Sequence, residues 1–499
     1  MPATSLAELV ANPYAKKKYL LILQPYDLVA AATTTVYLSG EGFVTSPTDT
    51  PANTYFEPRL VEPFSFSRSM FREGKLGGQS VPAFGQIVLT NADGGLDAFA
   101  TYAWDGRAVE LKVGEDGATY SNYFTIFKGQ TKSIEFDDLY LNLLIRDDQA
   151  DFTPQIQTTL YAGTGGTEGS ANLAGSPKPL CFGEAYNVTP TLVDSANAIY
   201  QVHDGQIEAI NAVYDSGVVI SSGDYTTDLA NGRFTINVST TGTITADVEG
   251  AKPGGTYLTK AGDIINEIVQ TYGGLASGDV NATSISNLNT ANASTIGFYI
   301  NSQKSILSVL DEICNTVGAF YGFDRDGIFE VERVELATGV ADAEFDKTTI
   351  IEIQRLASSV PNYRTRVGYK RNYTVFSDSD LSSSVTAANR DFMVRGQLFE
   401  TVTSSGTLTA YPNSDEILVE SLFAGSGAAS TEATRLDAIY DSQRDFYRIK
   451  VKTQPYTLKL NDVVKITFNR YNLTSGKLFT VVSLIEDAAI NEIELELWG

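Results

Sequence analysis

The sequence is short of the residues that carry most metal and nucleophile chemistry. Its 499 residues include one histidine, His203, which excludes multi-histidine zinc sites. Any Ser-His-Asp or Cys-His centre would have to use it. Neither a GxSxG motif nor a reactive-cysteine context is present, and "IYQVHDGQIE" reads as turn chemistry at a hairpin tip rather than as a catalytic base. The two cysteines, Cys181 and Cys314, lie far apart without CxxC or Cys/His spacing. They suit two reduced core thiols better than a metal site, with a single disulfide as the alternative.

Basic charge is also scarce. Lys and Arg number 36 against 60 Asp and Glu, a formal charge of −24 that repels polyphosphate and anionic lipid and argues against tight nucleic-acid binding. No run approaches 18 apolar residues, so no helical membrane span is predicted. The N-terminal "MPATSLAELVANPYAKKKYLLILQPYD" places its lysines after a weakly apolar segment. No secretory signal is therefore expected, and the protein is expected to be made and kept soluble inside a cell, at least at first. Methionine is rare (3) while Tyr (26) and Phe (25) are abundant, a balance that favours strands over helical bundles.

What is present is period-two alternation. Val109, Leu111 and Val113 alternate with Glu110 and Lys112, and Leu139, Leu141, Leu143 and Ile145 share one face of the next long strand. Three Asp-Gly steps punctuate this region: Asp93-Gly94, Asp105-Gly106 and Asp116-Gly117. An EF-hand needs oxygen ligands at positions 1, 3 and 5, Gly at 6 and Glu at 12. Counting from Asn91 puts Leu96 at position 6 and Tyr102 at 12; counting from Asp324 puts Ile328 and Phe329 at 5 and 6 although Glu335 fits 12. Both fail, so the Asp-Gly steps read as strand turns. "YAGTGGTEGS" (161–170) lacks the GxxxxGK[ST] spacing of a phosphate loop and reads as a flexible surface loop.

After "PKPLCFGE" come further hairpin signals at Asp204-Gly205, 215–217 and 230–233. The segment reads as a small β domain closed near "AKPGG" (251–255). "AGDIINEIVQTY" places Ile264, Ile265, Ile268 and Val269 on one helical face, and a polar stretch (276–297) follows. In "NSQKSILSVLDEICNTVG" the stripe Ile306, Leu307, Leu310, Ile313, Cys314 and Val317 predicts a helix with Ser302 as N-cap and Gly318 as its stop. A hairpin turning at "DRDG" (324–327) follows. "NYRTRVGYKRNYTVF" and "FMVRGQLFETVT" look extended, and residues 430–445 have helical spacing through Leu436, Ile439 and Tyr440.

Three closing strands are predicted around Tyr447–Val451, Val464–Phe468 and Ile493–Leu497. The basic stripe Arg448, Lys450 and Lys452 invites two readings: a grip on an acidic partner, or cross-strand ion pairs with Glu492, Glu494 and Glu496 if the final strand lies alongside. The structural reading is preferred, each pair contributing about 0.2–1 kcal/mol.

The block "FGQIVLTNADGGLDAFATYAWDGRAVELKVGEDG", with "LNLLIRDDQADFTPQIQTTLYAGTGGTEGSANLAGSPKPLCFGEAYNVTPTLVD" and "YQVHDG", resembles tail-tip and baseplate hub proteins of long-tailed phages and gene transfer agents. The later "SILSVLDEICNTVGAFYGFDRDGIFEVERV" and "NRYNLTSGKLFTVVSLIEDAAINEIELELWG" are similar to the helix-hairpin and closing-strand pattern of hub domains. The resemblance spans roughly residues 60–499 and leaves 1–60 unassigned.

It implies a non-enzymatic virion protein of the tail tip, assembled in the host cytoplasm: a homotrimer that closes the tail tube and forms part of the DNA exit channel. The implied neighbours are the distal tail protein, the tape-measure protein and tip or fibre proteins. Some hub relatives carry an iron-sulfur cluster or a fused cell-wall hydrolase. Here two distant cysteines cannot supply four ligands, and no hydrolase motif is present. No catalytic, cofactor-binding or metal residue is assigned, and no cofactor is expected.

The predicted fold is mainly β (α+β), with several barrel- or sandwich-like domains of tail-tube type and a few short helices. The expected division is a β-rich attachment domain at 1–180, a small β insertion at 181–255, a helix-plus-hairpin domain at 256–345 and a β-rich domain at 346–499. An acidic channel wall would let DNA slide past without sticking. Two alternatives stay open: a carbohydrate-active enzyme, since an Asp/Glu pair leaves no local signature, and a host-receptor-binding tail protein that uses loops such as 276–297.

Overall fold

Alternating apolar positions become the inner walls of two β-barrels. The computed structural model describes residues 2–12, 14–70, 80–452, 456–488, 490 and 492–499. It is mainly β, with 39% strand and 20% helix, in several antiparallel sheets with short helices.

The first barrel runs, in spatial order, through Leu60–Ser69, Phe84–Thr90, Tyr140–Arg146, Phe124–Phe136, Arg107–Glu115, Lys17–Leu23, Val36–Ser39 and Tyr55–Pro58. Val109, Leu111, Val113, Leu141, Leu143 and Ile145 are buried in its main core, as their alternation predicts. Leu139 falls just before its strand and is half exposed. Arg59 closes the ring: its N–H donates to the Ser39 carbonyl (3.0 Å), and its own carbonyl accepts from the Thr90 N–H (2.7 Å). The Asp-Gly steps are turns, with Gly94, Gly106 and Gly117 at φ of 70°, 72° and 80°.

The second barrel is built from Ala343–Asp346, Val463–Thr467, Lys477–Asp487, Glu492–Trp498, Phe446–Lys452 and Ile350–Arg355. It has four strands after residue 440 where the alternation predicted three. Lys477–Asp487 was missed because Phe479, Thr480, Val481 and Val482 are all buried in succession, which hides the period of two. One continuous sheet of fifteen strands joins the barrels, because Ser65–Ser69 pairs antiparallel with Ser483–Asp487.

The central body lies between these barrels in sequence. A five-stranded sheet contains Leu180–Val188, Ile207–Asp215, Ile244–Ala251 and Gly297–Ile300, and a four-stranded sheet packs near it. Their shared core holds Cys181, while Cys314 sits in the larger helical core; both thiols are free and buried. Turns at Gly217 (φ 81°) and Gly232 (φ 61°) match their sequence signals. Asp204-Gly205 instead links strands of different sheets, so His203 is buried rather than at a hairpin tip.

Among the helices, Ile306–Val317 buries the predicted stripe except Leu307, which is half-buried, and ends at Gly318 in left-handed conformation. Its cap is Ser305 rather than Ser302: the Ser305 hydroxyl accepts from the Ser308 N–H, and the chain before it is held extended by a bridge to Gln155. The polar stretch 276–297, expected as an exposed loop, contains the helix Ala282–Ala291, capped by Asn281. The helix expected at 430–445 runs Ser426–Tyr440. It stops early because the Arg444 guanidinium turns back to donate to the carbonyls of Ile439 and Ala438. Phe392 and Met393, expected to be extended, end the helix Ala387–Met393; the strand starts at Leu398.

Candidate functional site

The seam between the barrels is where distant parts of the chain meet. Strand Leu60–Ser69 turns Phe64, Phe66 and Arg68 to the inside. On its neighbour, Glu486 faces inward opposite Phe66 and is fully buried. A carboxylate in that position needs a cation. It receives one from the central body: Arg325, at the turn of the hairpin Ala319–Phe323 and Phe329–Arg333, donates to Glu486 at 2.5 Å. Asp324 builds that turn by accepting from the N–H groups of Asp326 and Ile328. The "DRDG" segment, read from sequence only as a turn, therefore delivers the charge that locks three parts of the chain together.

Further ionisable groups surround this contact. The Arg68 guanidinium lies 5.1 Å from the Phe66 ring centroid, and burial, helped by neighbouring Arg325, brings its pKa down to about 10. Asp147 accepts from the Ala83 N–H (3.0 Å), while its own N–H donates to the Ala83 carbonyl. Burial raises its pKa to about 7 despite those hydrogen bonds and the nearby positive charge of Arg68. Asp311 of the long helix accepts from the Ser80 N–H and the Tyr321 hydroxyl, so both sides of this junction are pinned by buried carboxylates. A second clamp lies deeper, where Glu432, 1% exposed, accepts from Arg333 and from Arg435 (2.6 Å). None of Arg68, Asp147, Glu432 or Glu486 was singled out from sequence. For Arg68 and Glu486 the only signal would have been a charged residue at an inward-facing position of a strand; Asp147 caps a short turn and Glu432 lies on a helix, where no such pattern marks them.

The basic stripe behaves as cross-strand pairing predicts. Arg448, Lys450 and Lys452 stand in register with Glu496, Glu494 and Glu492. Arg448 pairs with Glu496 (2.5 Å) and Glu494 (3.2 Å), and Lys450 with Glu492 (3.0 Å). Arg448 and Lys450 are thus matched within the chain.

The remaining candidates separate. His203 accepts at Nδ1 from the Cys181 N–H (3.0 Å), and burial lowers its pKa to about 4. It is a neutral packing residue, and among the described residues no serine or cysteine side chain is hydrogen-bonded to it. Burial pushes both thiols well up, so neither is poised as a thiolate. Asp93 is held down to about 2 by the Arg59 guanidinium, an ion pair at the closure of the first barrel. Among the described residues no group of three or more His, Cys, Asp or Glu side chains is placed to hold a metal ion, and no helix is long and apolar enough to cross a membrane.

No protein-family model and no curated protein matches the chain. Structural similarity extends to tail proteins of phage type. A tail protein from Neisseria meningitidis MC58 aligns over 96% of both chains at 10% identity with a TM-score of 0.44. The 43 kDa tail protein of prophage MuSo2 from Shewanella oneidensis aligns over 96% of this chain and 98% of its own, at 10% identity and 0.41. A chain of the native gene transfer agent virion aligns over 65% of this chain and 84% of its own, at 12% identity and 0.44.

Proposed function

We propose that this chain is a structural, non-enzymatic hub protein of a phage-type tail tip, acting by assembly. In this reading it forms a homotrimer that closes the tail tube and lines part of the DNA exit channel. The distal tail protein lies above it, the tape-measure protein ends at it, and tip or fibre proteins dock below. The four-segment division at 1–180, 181–255, 256–345 and 346–499 is proposed with it, the first and last segments supplying the barrels except for the strand Ala343–Asp346, which straddles the last boundary.

The observation that carries this reading is the seam. Two barrels from opposite ends of the chain share one fifteen-stranded sheet, and the central body locks it through Arg325 and Glu486. In this reading such a unit joins neighbours above and below it. The resemblance of the segments around 84–117 and 305–334 to hub proteins supplies the identity. The net charge of −24 suits a wall past which DNA slides, since each phosphate is repelled rather than held.

The test is particle composition and cryo-microscopy of purified virions or transfer-agent particles. Three copies of the chain at the tail tip are expected. Absence of the chain from particles, or its placement away from the tail, would overturn the reading.

A further inference from the structure

Within so acidic a molecule one stretch has the opposite character. No Asp or Glu occurs between Glu352 and Asp378, while Arg355, Arg364, Arg366, Lys370 and Arg371 all fall there. Its core is the strand Arg364–Tyr369, central in a three-stranded sheet with Leu398–Thr403 and Glu416–Val419. One face of this strand is buried: Thr365 and Val367 are inaccessible, and the helix Ser426–Tyr440 packs there. Period-two alternation therefore turns Arg364 and Arg366 to the other face.

That face has the make-up of a contact surface. The Arg366 guanidinium lies 4.7 Å from the Phe399 ring centroid and Arg364 lies 5.0 Å from that of Tyr363, so both are pre-organised over aromatic rings. Leu418, in register with Arg366, is 49% exposed. Thr401 and Thr403 complete the surface on the opposite strand. Arg364 and Arg366 share one carboxylate, Glu416, at 3.3 and 3.7 Å. Lys304 and Arg371 share Glu312 in the same way. Four cations facing two carboxylates leave positive charge unmatched, unlike the Arg448 stripe.

We infer that the sheet face carrying Arg364, Arg366, Phe399 and Leu418 is an interaction surface for an acidic protein surface, and that its occupant is a second copy of this chain. Charge complementarity selects that partner. Every copy carries −24 overall and sets Arg364 and Arg366 against a single carboxylate on this face, so one copy's basic face meets the acidic exterior of the next in a head-to-tail contact. Arginine and aromatic residues flanked by an exposed leucine are the side chains that dominate binding energy at such contacts. DNA is the less suited polyanion, because the approach of phosphates is opposed by the rest of the molecule. This inference rests on the assembly reading above, but it is read in solution and not in particles, so either can fail alone.

The experiment is sedimentation velocity of the purified full chain at its highest soluble concentration, in about 20 mM and about 0.5 M salt. Wild type is compared with R364E/R366E and with the milder R364Q/R366Q. Far-UV circular dichroism confirms folding of each, and the salt series on wild type stands even if the reversal variant misfolds. The expected result is reversible self-association at low salt, lost in high salt, abolished by the Glu pair and weakened by the Gln pair. A wild-type chain that stays monomeric at low salt, or association indifferent to the substitutions, overturns the inference. Binding of a fluorescent single-stranded DNA 20-mer that R364E/R366E abolishes, without self-association, overturns it in favour of nucleic acid.

Discussion

Arg325 donates to Glu486 at 2.5 Å across more than 150 residues of sequence, from a hairpin turn into the interior of the barrel seam. Glu486 is fully buried and the Arg325 side chain only 10% exposed. Removing the cation therefore leaves a desolvated carboxylate rather than merely losing an attraction. Arg325→Ala is expected to destabilise the fold by about 3 kcal/mol, read as a lowered first transition in scanning calorimetry. Arg325→Ala/Glu486→Leu, which removes both charges, should recover most of that loss. Equal melting of the single variant and wild type would show that the contact is dispensable.

The outer stripe calls for a smaller number. Arg448 and its two glutamates are about one-third exposed, so solvent screens them. Arg448→Glu is expected to cost about 1 kcal/mol and Glu496→Arg a similar amount, while the double exchange restores part of both. A double-mutant cycle in low and high salt measures the coupling. Its persistence at high salt would contradict a screened surface pair.

Asp147 makes stability depend on pH in a definite direction. Its folded pKa, about 7, lies above its unfolded value, so the folded state holds the proton more tightly. The resulting stabilisation is fully present below about pH 4 and is lost as pH rises through about 7. Wild type should therefore lose about 2–3 kcal/mol between pH 5 and 8 relative to Asp147→Asn. Asn keeps an acceptor for the Ala83 N–H, so the comparison isolates the titration. Parallel pH profiles for the two proteins would count against a protonated Asp147.

Legibility in the sequence followed the physics of local pattern. The helix Ile306–Val317 was readable because its apolar residues recur at helical spacing and Gly318 stops it. The strand Arg107–Glu115 was readable because one face is core and the other solvent. Helix Ala282–Ala291 was not, since only Ile285 and Leu288 mark its buried side among Asn, Ser and Thr. The same segment gains its structure from tertiary packing on the strand Phe329–Arg333. The Arg448 ladder was legible because pairing of two alternating strands fixes who faces whom. The seam was not: Arg68 and Glu486 look like ordinary surface charges until non-local strand pairing turns them inward, and Asp147 and Arg325 lie just outside strands, where no alternation marks them.

Gly183 offers the sharpest backbone test. It sits inside the strand Leu180–Val188 at φ 60°, in register with Gly297 on the neighbouring strand. A Cβ at Gly183 would strike the Ile296 carbonyl oxygen, and one at Gly297 would strike the backbone of Glu184. The two strands thus approach more closely than any side chain permits. Gly117, at φ 80°, has open space around it, so Gly117→Ala meets only the conformational penalty of about 1–2 kcal/mol. Gly183→Ala meets that penalty plus a backbone collision that no rotamer relieves, and should exceed about 3 kcal/mol. Melting temperature and limited proteolysis of the two variants decide it: the Gly117 variant should stay intact while the Gly183 variant opens first within the central body. Similar small shifts for both would mean that the strands at Gly183 and Gly297 can part without cost, and that the close approach is not what orders this sheet.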